Sequence, residues 1–370
     1  MFEVQIVTAD FSTVPSKILV IRSSAIGDIV FASPFAAALR RTYPQAHIAW
    51  LVEPGIDELL RANPHIDELI LWPKKEWQIL WKQRRYGTLF KTVRAFGKML
   101  KSHRFNWVID LQSLLKSGVL AWMTRAPRRI GLGSIEGSQY LMTEVIPKGG
   151  DIERISSEYL YAAQQLGLDT KEFIPELYLP QAAQQRAQEL LHAYGLEPGK
   201  YAVMAPFTTR PQKHWFEDAW QELIMLLKQQ HGITSVILGG PDNQETAERL
   251  ISPTPGTISL AGKTSITETA ALVQSAGLLV GVDTGVTHMA IAFNTPAVIL
   301  FGSTRPYRNT CRDNAHVIWL GLSCSPCKRR PTCNGAYTCM RDISAEMVLW
   351  EVEQVICHTP LWNEHENSPR

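Results

Sequence analysis

The chain alternates between short, continuously apolar runs and longer amphipathic segments. Ten such runs fall into two groups of five, one within residues 17–133 and the other within residues 201–303. Apolar runs of this length are typical of strands that are buried on both faces of a parallel sheet. The segments between them, such as FEDAWQELIMLLKQQ and ITETAALVQSA, have the apolar spacing of helices. We therefore expect an α/β protein with two Rossmann-like, doubly wound parallel-sheet domains and a cleft between them.

The boundary between the two groups lies in residues 167–200, which contain prolines and a polar helical segment. We predict a first domain over residues 1–180, a second over 181–340, and a C-terminal helix and tail over 341–370. Ser344 stands where an N-cap would begin that last helix, which we expect to cross back onto the first domain. Two halves that face each other suggest a nucleotide on one side of the cleft and an acceptor on the other.

Composition argues against several classes of protein. The 370 residues carry 37 Lys and Arg against 35 Asp and Glu, whereas a dedicated nucleic-acid-binding protein would have a strong basic excess. No apolar stretch approaches the about 18 residues that span a bilayer. The first seventeen residues lack the charged and apolar regions of a signal peptide. We expect a cytoplasmic protein that binds no nucleic acid.

One segment, residues 73–104, departs from this balance by combining Lys and Arg with Trp, Tyr and Phe. Two interpretations stay open. The segment is either a solvated helix face or a surface that meets anionic lipid headgroups or an anionic acceptor. In the second case it holds four candidate acceptor-binding residues, which are Lys74, Lys75, Arg84 and Arg85.

The stretch VIRSSAIGDIVFASP places a polar loop between the first apolar run and a helical pattern. Open α/β sheets bind their ligands at such strand ends, and Ser24, Gly27 and Asp28 lie there. The loop has neither the G-x-G-x-x-G of a dinucleotide site nor the Lys of a P-loop. Asp28 is either a cap for the following helix or a general base that removes a proton from an acceptor hydroxyl.

Two strand-to-helix turns of the second half have the composition of anion sites. In APFTTRPQKHW, Thr208 and Thr209 offer hydroxyl donors and Lys213 offers a positive charge just before a helix. In GVDTGVTHMA, five polar or small residues follow a strand and begin the next helix. These five are Asp283, Thr284, Gly285, Thr287 and His288. Asp283 either binds a sugar hydroxyl or caps the helix, and either loop could instead be structural.

A third turn, LGGPDNQETAERL, has paired glycines that allow the backbone to approach a flat ring. Asp242 or Glu245 could bind the hydroxyl pair of a ribose, as acids do in nucleotide-binding folds. An ordinary surface helix is an equal alternative.

The cysteines cluster near the end of the chain. Four of the six lie in CSPCKRRPTCNGAYTC, at Cys324, Cys327, Cys333 and Cys339. In a cytosolic protein such a cluster favours metal binding over disulfides, and four thiolates suit a structural Zn or Fe ion. Reduced cysteines in a loop, or disulfides formed on purification, are the alternatives.

Taken together, these motifs resemble glycosyltransferase family 9, the bacterial ADP-heptose:lipopolysaccharide heptosyltransferases, including heptosyltransferase I. The matching segments are ILVIRSSAIGDIVFASP, VIDLQSLLKSG, TTRPQKHW and VDTGVTHMA followed by FGSTRP, in family order. The resemblance implies a GT-B fold and an inverting transfer of heptose from ADP-heptose to the lipopolysaccharide inner core. The acceptor would be Kdo-lipid A or the first heptose, at the inner-membrane surface, and catalysis would need no metal or other cofactor.

The resemblance also implies roles for particular residues. Asp28 matches the family's proposed catalytic base, and Lys213 with the two threonines matches the group that holds the donor diphosphate. The residues from Asp283 to His288 match the donor-site loop, and Glu245 lies near the family's ribose-binding acid.

Two departures keep other acceptors open. Of a His-Ala-Val-Glu-Arg stretch found in heptosyltransferase I proteins, the chain keeps only Glu153 and Arg154. The four-cysteine cluster resembles the metal-binding motif of protein heptosyltransferases that modify autotransporters. A transferase that acts on protein hydroxyls, and a nucleotide-binding regulatory protein without catalysis, therefore remain alternatives.

Overall fold

The computed structural model describes residues 14–357 and contains, within that range, two parallel sheets of six strands each. The first sheet consists of β1 (Lys17–Ile21), β2 (His47–Val52), β3 (Glu68–Leu71), β4 (Trp107–Asp110), β5 (Arg128–Leu132) and β6 (Glu144–Ile146). The second consists of β7 (Tyr201–Ala205), β8 (Thr234–Ile237), β9 (Ile258–Ser259), β10 (Leu278–Val282), β11 (Ala297–Leu300) and β12 (Ala315–Ile318).

The two sheets share one topology. The first has the order β3-β2-β1-β4-β5-β6, and the second repeats it as β9-β8-β7-β10-β11-β12. In each sheet the order reverses between the first and the fourth strand, and doubly wound folds bind ligands at this crevice, outside the carboxyl ends of the strands. Loops after β1, β4, β7 and β10 are therefore the places to look for a site.

Helices cover both faces of each sheet. The first domain has α1 (Ile26–Ala32), α2 (Pro34–Thr42), α3 (Lys74–Lys82), α4 (Tyr86–Ser102), α5 (Leu115–Met123) and α6 (Ser157–Gln165). The remaining helices are α7 (Gln181–Ala193), α8 (Glu217–His231), α9 (Gln244–Ile251), α10 (Ile266–Ser275), α11 (Gly285–Phe293), α12 (Thr338–Arg341) and α13 (Ala345–Ile356). Short 3₁₀ turns lie at Asp57–Leu59, Ser138–Leu141, Pro211–Lys213 and Pro241–Asn243. None of the helices described here is both long and apolar enough to cross a bilayer.

All ten strands expected from the apolar runs are present, but two short strands were not predicted. These two, β6 and β12, lie at the outer edges of their sheets. An edge strand needs little apolar sequence, and β6 buries only Ile146 while β12 buries only its first and last residues. Their sequences therefore lack the continuous apolar pattern of the central strands.

The domains contact each other at several places, among them the linker region, the cleft, and the turn Asp57–Leu59, which packs on α10. Near the linker, the Glu153 backbone oxygen accepts from the Asn309 N–H at 2.7 Å, and the Ile155 N–H donates to the Asn309 oxygen at 2.9 Å. At the cleft, α1 of the first domain packs against α11 of the second. Gly27 and Gly285 permit this approach, because a Cβ on Gly285 would lie 2.6 Å from the Ile26 side chain.

The C-terminal helix does not cross back onto the first domain, so that expectation is wrong for the residues described. Ser344 is the N-cap of α13, as predicted, and its hydroxyl accepts from the Met347 N–H at 3.2 Å. It then packs on α8, β11 and β12 of the second domain, where Val348 and Val352 are fully buried. Its apolar stripe completes the core on that face of the second sheet. The tail beyond residue 357 lies outside the described residues.

Candidate active site in the cleft between the domains

A cleft of about 620 Å³ lies between the domains, at the carboxyl ends of their strands. The first domain contributes the start of α1, including Gly27 and Asp28. The second domain contributes residues from three separate turns, and most of the predicted donor site is among them. These residues are Thr208, Thr209, Lys213, Asp283, Thr284, Gly285 and His288.

Asp28 is held at one oxygen and free at the other. It is the third residue of α1, and its Oδ2 accepts from the Ala25 N–H at 3.0 Å and pairs with the Arg22 guanidinium at 2.5 Å. Within the described part of the chain, Oδ1 makes no hydrogen bond or ion pair. The side chain is 42% exposed and lines the cleft. Asp28 thus supports the helix start, as one interpretation had it, and still presents an unoccupied carboxylate oxygen.

Arg22 is a buried residue that fixes the position of this carboxylate. It follows β1, its guanidinium donates to the Leu111 backbone oxygen at 3.2 Å, and its side chain is 10% exposed. Asp110, at the end of the neighbouring strand β4, is fully buried. Its carboxylate accepts from the Gln112 and Ser113 N–H groups. Burial raises the pKa of the Asp110 carboxyl to about 6, although these hydrogen bonds and the charge of Arg22 oppose the rise.

Asp283 uses both oxygens to organise the opposite wall. Oδ2 pairs with the Lys213 ammonium and accepts from the Thr304 hydroxyl at 2.6 Å, while Oδ1 lies 3.2 Å from Nε2 of His288. Burial alone would raise the pKa of the Asp283 carboxyl, but the hydrogen bond and charge of His288 and the charge of Lys213 hold it well below its usual range. Asp283 is therefore occupied in positioning Lys213 and His288.

His288 links the two domains. Its Nδ1 lies 2.8 Å from the Tyr307 hydroxyl, and its ring centroid lies 4.4 Å from that of Phe31 on α1. A Cβ at Gly27 would come within 2.8 Å of this ring. The His288 side chain is only 3% exposed, so it supports the floor of the cleft more than its open surface.

The remaining predicted donor residues divide into two groups. Thr208, Thr209 and Thr284 line the cleft beside the free N–H groups at the start of α11, where an anion would be stabilised. Thr287 is fully buried instead, and its hydroxyl donates to the Val282 backbone oxygen at 2.7 Å. Thr287 therefore stabilises the turn between β10 and α11 and is not exposed to the cleft.

The turn after β8 brings a different acid to the cleft from the one predicted. Asp242 and Asn243 line the cavity, together with Gly240. Glu245 lies one turn further along, is 92% exposed, and pairs with Arg249 at 3.3 Å. Its binding to ribose stays a prediction, while Asp242, the alternative considered from the sequence, has the better position.

The predicted acceptor residues lie outside the cleft lining, apart from Gly27. The Ser24 hydroxyl donates to Glu53 Oε1 at 2.9 Å, and Lys74 pairs with the same oxygen at 2.8 Å. Lys75, Arg84 and Arg85 are exposed on α3 and on the turn that follows it. Their roles in acceptor binding stay predictions.

The four clustered cysteines line one small cavity of about 10 Å³. Burial raises the pKa of the Cys327 and Cys339 thiols, and the neighbouring thiols raise it further. Within residues 14–357, however, no group of three or more His, Cys, Asp and Glu side chains is close enough together to hold a metal ion. The side chains as arranged do not fit a metal centre. The loop that carries the cysteines contacts the turn that carries Lys213, since the Gln212 amide donates to the Lys328 backbone oxygen at 2.8 Å.

Comparison with known families agrees with this geometry. The sequence model of glycosyltransferase family 9 (heptosyltransferase) matches residues 93–338, about two thirds of the chain. The chain belongs to glycosyltransferase family 9. It is accordingly a glycosyltransferase.

Individual relatives extend the match over most of the chain. Lipopolysaccharide heptosyltransferase 1 of Pseudomonas aeruginosa is 27% identical over 358 residues, covering 93% of this chain and 94% of that protein. Lipopolysaccharide heptosyltransferase 1 of Escherichia coli K12 is 25% identical over 298 residues, covering 78% of this chain and 89% of that protein.

Solved structures agree on the fold. A family 9 glycosyltransferase from Veillonella parvula superposes with a TM-score of 0.76 at 21% identity, covering 93% of this chain and 98% of that one. The E. coli ADP-heptose lipopolysaccharide heptosyltransferase II superposes with a TM-score of 0.70 at 22% identity, covering 92% and 98%. The predicted GT-B fold is confirmed.

Several residues of this family 9 site escaped the sequence analysis. Glu53, Gln112 and Thr304 hold the polar side chains around the two catalytic candidates, and each comes from a loop far away in sequence. Gln112 and Lys116 lie inside VIDLQSLLKSG, a motif that carried the family resemblance without an assigned role. That motif was the only signal in the sequence for this part of the site.

Proposed function

We propose that this family 9 enzyme transfers heptose from ADP-heptose to the inner core of lipopolysaccharide, with Kdo-lipid A or the first heptose as acceptor. The names of its curated relatives support the reaction class. The observation that carries the proposal is the asymmetry of the cleft. One wall presents the free carboxylate oxygen of Asp28, and the other presents Lys213 beside the start of α11.

The reaction is a single displacement with inversion. The acceptor hydroxyl gives its proton to Oδ1 of Asp28 while its oxygen forms a bond to the anomeric carbon of the heptose. The bond between that carbon and the diphosphate oxygen breaks, and its electron pair leaves with ADP. Arg22 keeps the carboxylate oriented throughout, because it holds Oδ2 and leaves Oδ1 available.

Lys213 and the residues around it take up the charge of the leaving diphosphate. The Lys213 side chain is 15% exposed and its ammonium is held in position by Asp283, so little reorganisation is needed when the charge develops. Thr208, Thr209 and the N–H groups at the start of α11 add hydrogen-bond donors on the same wall. These groups can stabilise the diphosphate without a divalent cation.

We further propose that α3 and α4 rest on an anionic membrane surface on the cytoplasmic face of the inner membrane, where a lipid-linked acceptor is found. Residues 73–104 contain ten Lys and Arg and only one acid. Ile79, Trp81, Tyr86 and Phe90 are between 52% and 67% exposed on the same two helices. Exposed apolar and aromatic side chains among cations are typical of surfaces that bind anionic lipids.

Incubation of the enzyme with ADP-heptose tests the reaction. Kdo-lipid A and heptosyl-Kdo-lipid A are offered as separate acceptors, ADP-glucose is the control donor, and products are identified by mass. We expect one heptose on one of the two acceptors. Absence of heptose from both, with transfer to a protein acceptor instead, would overturn the assignment.

Vesicle binding tests the membrane surface. Trp81→Glu should weaken binding to anionic vesicles, whereas Trp350→Glu, on an equally exposed tryptophan of α13, should not. Equal binding of both variants and the unaltered enzyme would contradict this surface.

Binding of a structural Zn or Fe by Cys324, Cys327, Cys333 and Cys339 stays a prediction. Metal analysis of freshly reduced protein tests it. One Zn or Fe per chain, lost in Cys327→Ser and Cys333→Ser, would support the prediction, and metal-free protein that is fully active would contradict it.

A further inference from the structure

The loop that follows β11 connects the first domain with the donor wall, by which we mean the cleft residues Lys213, Asp283 and His288. The Thr304 hydroxyl of this loop donates to Oδ2 of Asp283 at 2.6 Å. The Tyr307 hydroxyl lies 2.8 Å from Nδ1 of His288. Two residues further on, the loop backbone pairs with the first domain. Tyr307 therefore lies between a contact to the donor wall and a contact between the domains.

Tyr307 is 8% exposed, and aromatic rings from both domains hold its ring in place. Its centroid lies 5.3 Å from that of Phe301 after β11 and 5.6 Å from that of Phe31 on α1, both edge to face. Burial raises the pKa of the Tyr307 hydroxyl well above its usual range, and the charge of Asp283 raises it further. The hydroxyl keeps its proton, and a buried O–H needs an acceptor. Within residues 14–357 its hydrogen-bond partner is Nδ1 of His288.

These contacts fix the position of the proton on the His288 ring. Nε2 lies 3.2 Å from Oδ1 of Asp283, and a carboxylate only accepts, so Nε2 carries a proton. Nδ1 carries none, because it accepts from the Tyr307 hydroxyl. His288 is then a neutral imidazole. An imidazolium would leave the Tyr307 O–H as a buried donor without an acceptor, which is unfavourable.

The protonation of His288 sets the charge of the donor wall. Asp283 pairs with the Lys213 ammonium, so with a neutral His288 the three groups have no net charge. An imidazolium would add one positive charge beside the place where a diphosphate binds. Such a charge would strengthen the binding of the diphosphate that is released as product.

The side of the ring that faces the first domain has no free charge to replace this control. α1 brings Phe31 and Gly27 against His288. The acid next to Gly27 is Asp28, and it is paired with Arg22.

We propose that Tyr307 is a positioning residue of the transfer reaction. Its hydroxyl fixes His288 as the neutral tautomer with the proton on Nε2, and thereby keeps the charge of the donor wall constant while the diphosphate binds and leaves. Tyr307 acts through His288 and does not touch the substrate. The inference rests on the proposed function, because the diphosphate is that of the ADP-heptose donor.

Tyr307→Phe is the decisive variant, because it keeps the ring between Phe301 and Phe31 and removes only the hydroxyl. Tyr201→Phe is the matched control. Tyr201 is fully buried on β7, and its hydroxyl donates to the Leu272 backbone oxygen. Each variant loses one buried hydrogen bond, so the Tm of each should fall by a similar amount, about 1–3 °C.

Nuclear magnetic resonance of the ligand-free enzyme, labelled with ¹⁵N at histidine, tests the tautomer directly. His288→Gln identifies the signals of His288. In the unaltered enzyme we expect a proton on Nε2 and none on Nδ1 from pH 8 to pH 6. In Tyr307→Phe, Nδ1 should take up a proton over this range, whereas Tyr201→Phe should behave as the unaltered enzyme does. A proton on Nδ1 in the unaltered enzyme at pH 7.5 would overturn the inference.

Calorimetric binding of ADP at pH 8 and pH 6 tests the consequence for the donor wall. The ratio of the two affinities cancels the titration of ADP itself when variants are compared. From pH 8 to pH 6, Tyr307→Phe should gain about three- to tenfold in ADP affinity relative to the unaltered enzyme and to Tyr201→Phe. The same ratio in all three proteins would reject the role of Tyr307.

Failure of the proposed function has a different signature. If the unaltered enzyme does not bind ADP, the assignment of the donor fails. Inorganic pyrophosphate, a diphosphate without a nucleoside, then replaces ADP in the same measurement. A pH-dependent gain in Tyr307→Phe alone supports the inference, and equal ratios, or no binding of pyrophosphate, reject it.

Discussion

Asp28 and Asp283 face each other across the cleft, and each lies beside a cation, yet their surroundings differ. Asp28 is 42% exposed and uses one oxygen for Arg22 and the Ala25 N–H. Asp283 is 14% exposed and uses both oxygens for Lys213, Thr304 and His288. A carboxylate with a free oxygen can accept a proton from a substrate, whereas one with both oxygens occupied positions its neighbours. Hydrogen-bond occupancy, more than residue type, separates the two roles.

The largest effect should follow from removing the free oxygen of Asp28. Asp28→Asn can still accept from the Ala25 N–H but cannot take a proton, so kcat should fall about 10²–10⁴-fold. ADP affinity, measured by calorimetry, should stay within about twofold of the original, because the donor wall is untouched. A kcat within tenfold of the unaltered enzyme would refute Asp28 as the base.

Asp283→Asn should act through stability and donor binding. It leaves the Lys213 ammonium without its counter-charge, so the free energy of unfolding should fall by about 3–5 kcal/mol and ADP affinity by about tenfold. Thr304→Val, which removes a single hydrogen bond to the same carboxylate, should cost only about 1 kcal/mol. If Asp283→Asn matched Thr304→Val in both measurements, the positioning role would be wrong.

The contact between the two walls can be tested at Gly27. Gly27→Ala places a Cβ 2.8 Å from the His288 ring, and this overpacking should lower the free energy of unfolding by about 1–3 kcal/mol. Gly87→Ala is the matched control, since a Cβ there meets nothing within 4 Å on exposed α4. The control should gain up to about 1 kcal/mol. An unchanged free energy of unfolding in Gly27→Ala would show that α1 and α11 can shift apart at little cost, which would contradict a tight contact between them.

Asp110 has a position like that of Asp283, because it ends β4 in the first sheet as Asp283 follows β10 in the second. Asp110, however, has no direct ion pair among the described residues. Its pKa, raised from 3.8 to about 6, means that the folded state keeps the proton longer than the unfolded state. This carboxyl therefore makes stability fall as pH rises from about 4 to 6. Asp283, with its lowered pKa, contributes stability above its ordinary pKa of 3.8 that is lost on acidification.

The two asparagine variants should change the pH dependence of Tm in opposite directions. As the pH rises from 4 to 6.5, the Tm of Asp110→Asn should rise by about 2–4 °C relative to the Tm of the unaltered enzyme. Asp283→Asn should lose less Tm on acidification below pH 4 than the unaltered enzyme does. Parallel pH profiles for Asp110→Asn and the unaltered enzyme would contradict the raised pKa.

Much of the fold was predictable from local pattern. The central strands are buried on both faces, so each must be continuously apolar, and the sequence predicted all of them. The edge strands β6 and β12 lack that requirement and were missed. α13 was predicted as a helix from its N-cap and its apolar stripe, but the domain on which it packs was predicted wrongly. An apolar stripe indicates that a helix packs against a core, but it does not indicate which domain supplies that core.

The candidate site shows the same division. Its position at strand ends follows from topology, and the clustering of Thr208, Lys213 and Asp283 was anticipated from the motifs. The family resemblance favoured Glu245 over Asp242 as the acid that binds ribose. In the structure Asp242 lines the cleft, whereas Glu245 lies about one helical turn further along and is exposed to solvent. Gln112 and Lys116 had only the motif VIDLQSLLKSG as a signal, since their places in the site depend on how β4 and α5 pack.

Apolar pattern and residue order alone predict two α/β halves, the family, and the acids and cations available to the cleft. The packing of segments far apart in sequence settles which carboxylate keeps a free oxygen, which acid after β8 lines the cleft, and where α13 packs. The reason is that these properties depend on distances of a few ångströms between groups far apart along the chain. Lys213 and Asp283 are separated by 70 residues and yet form one ion pair.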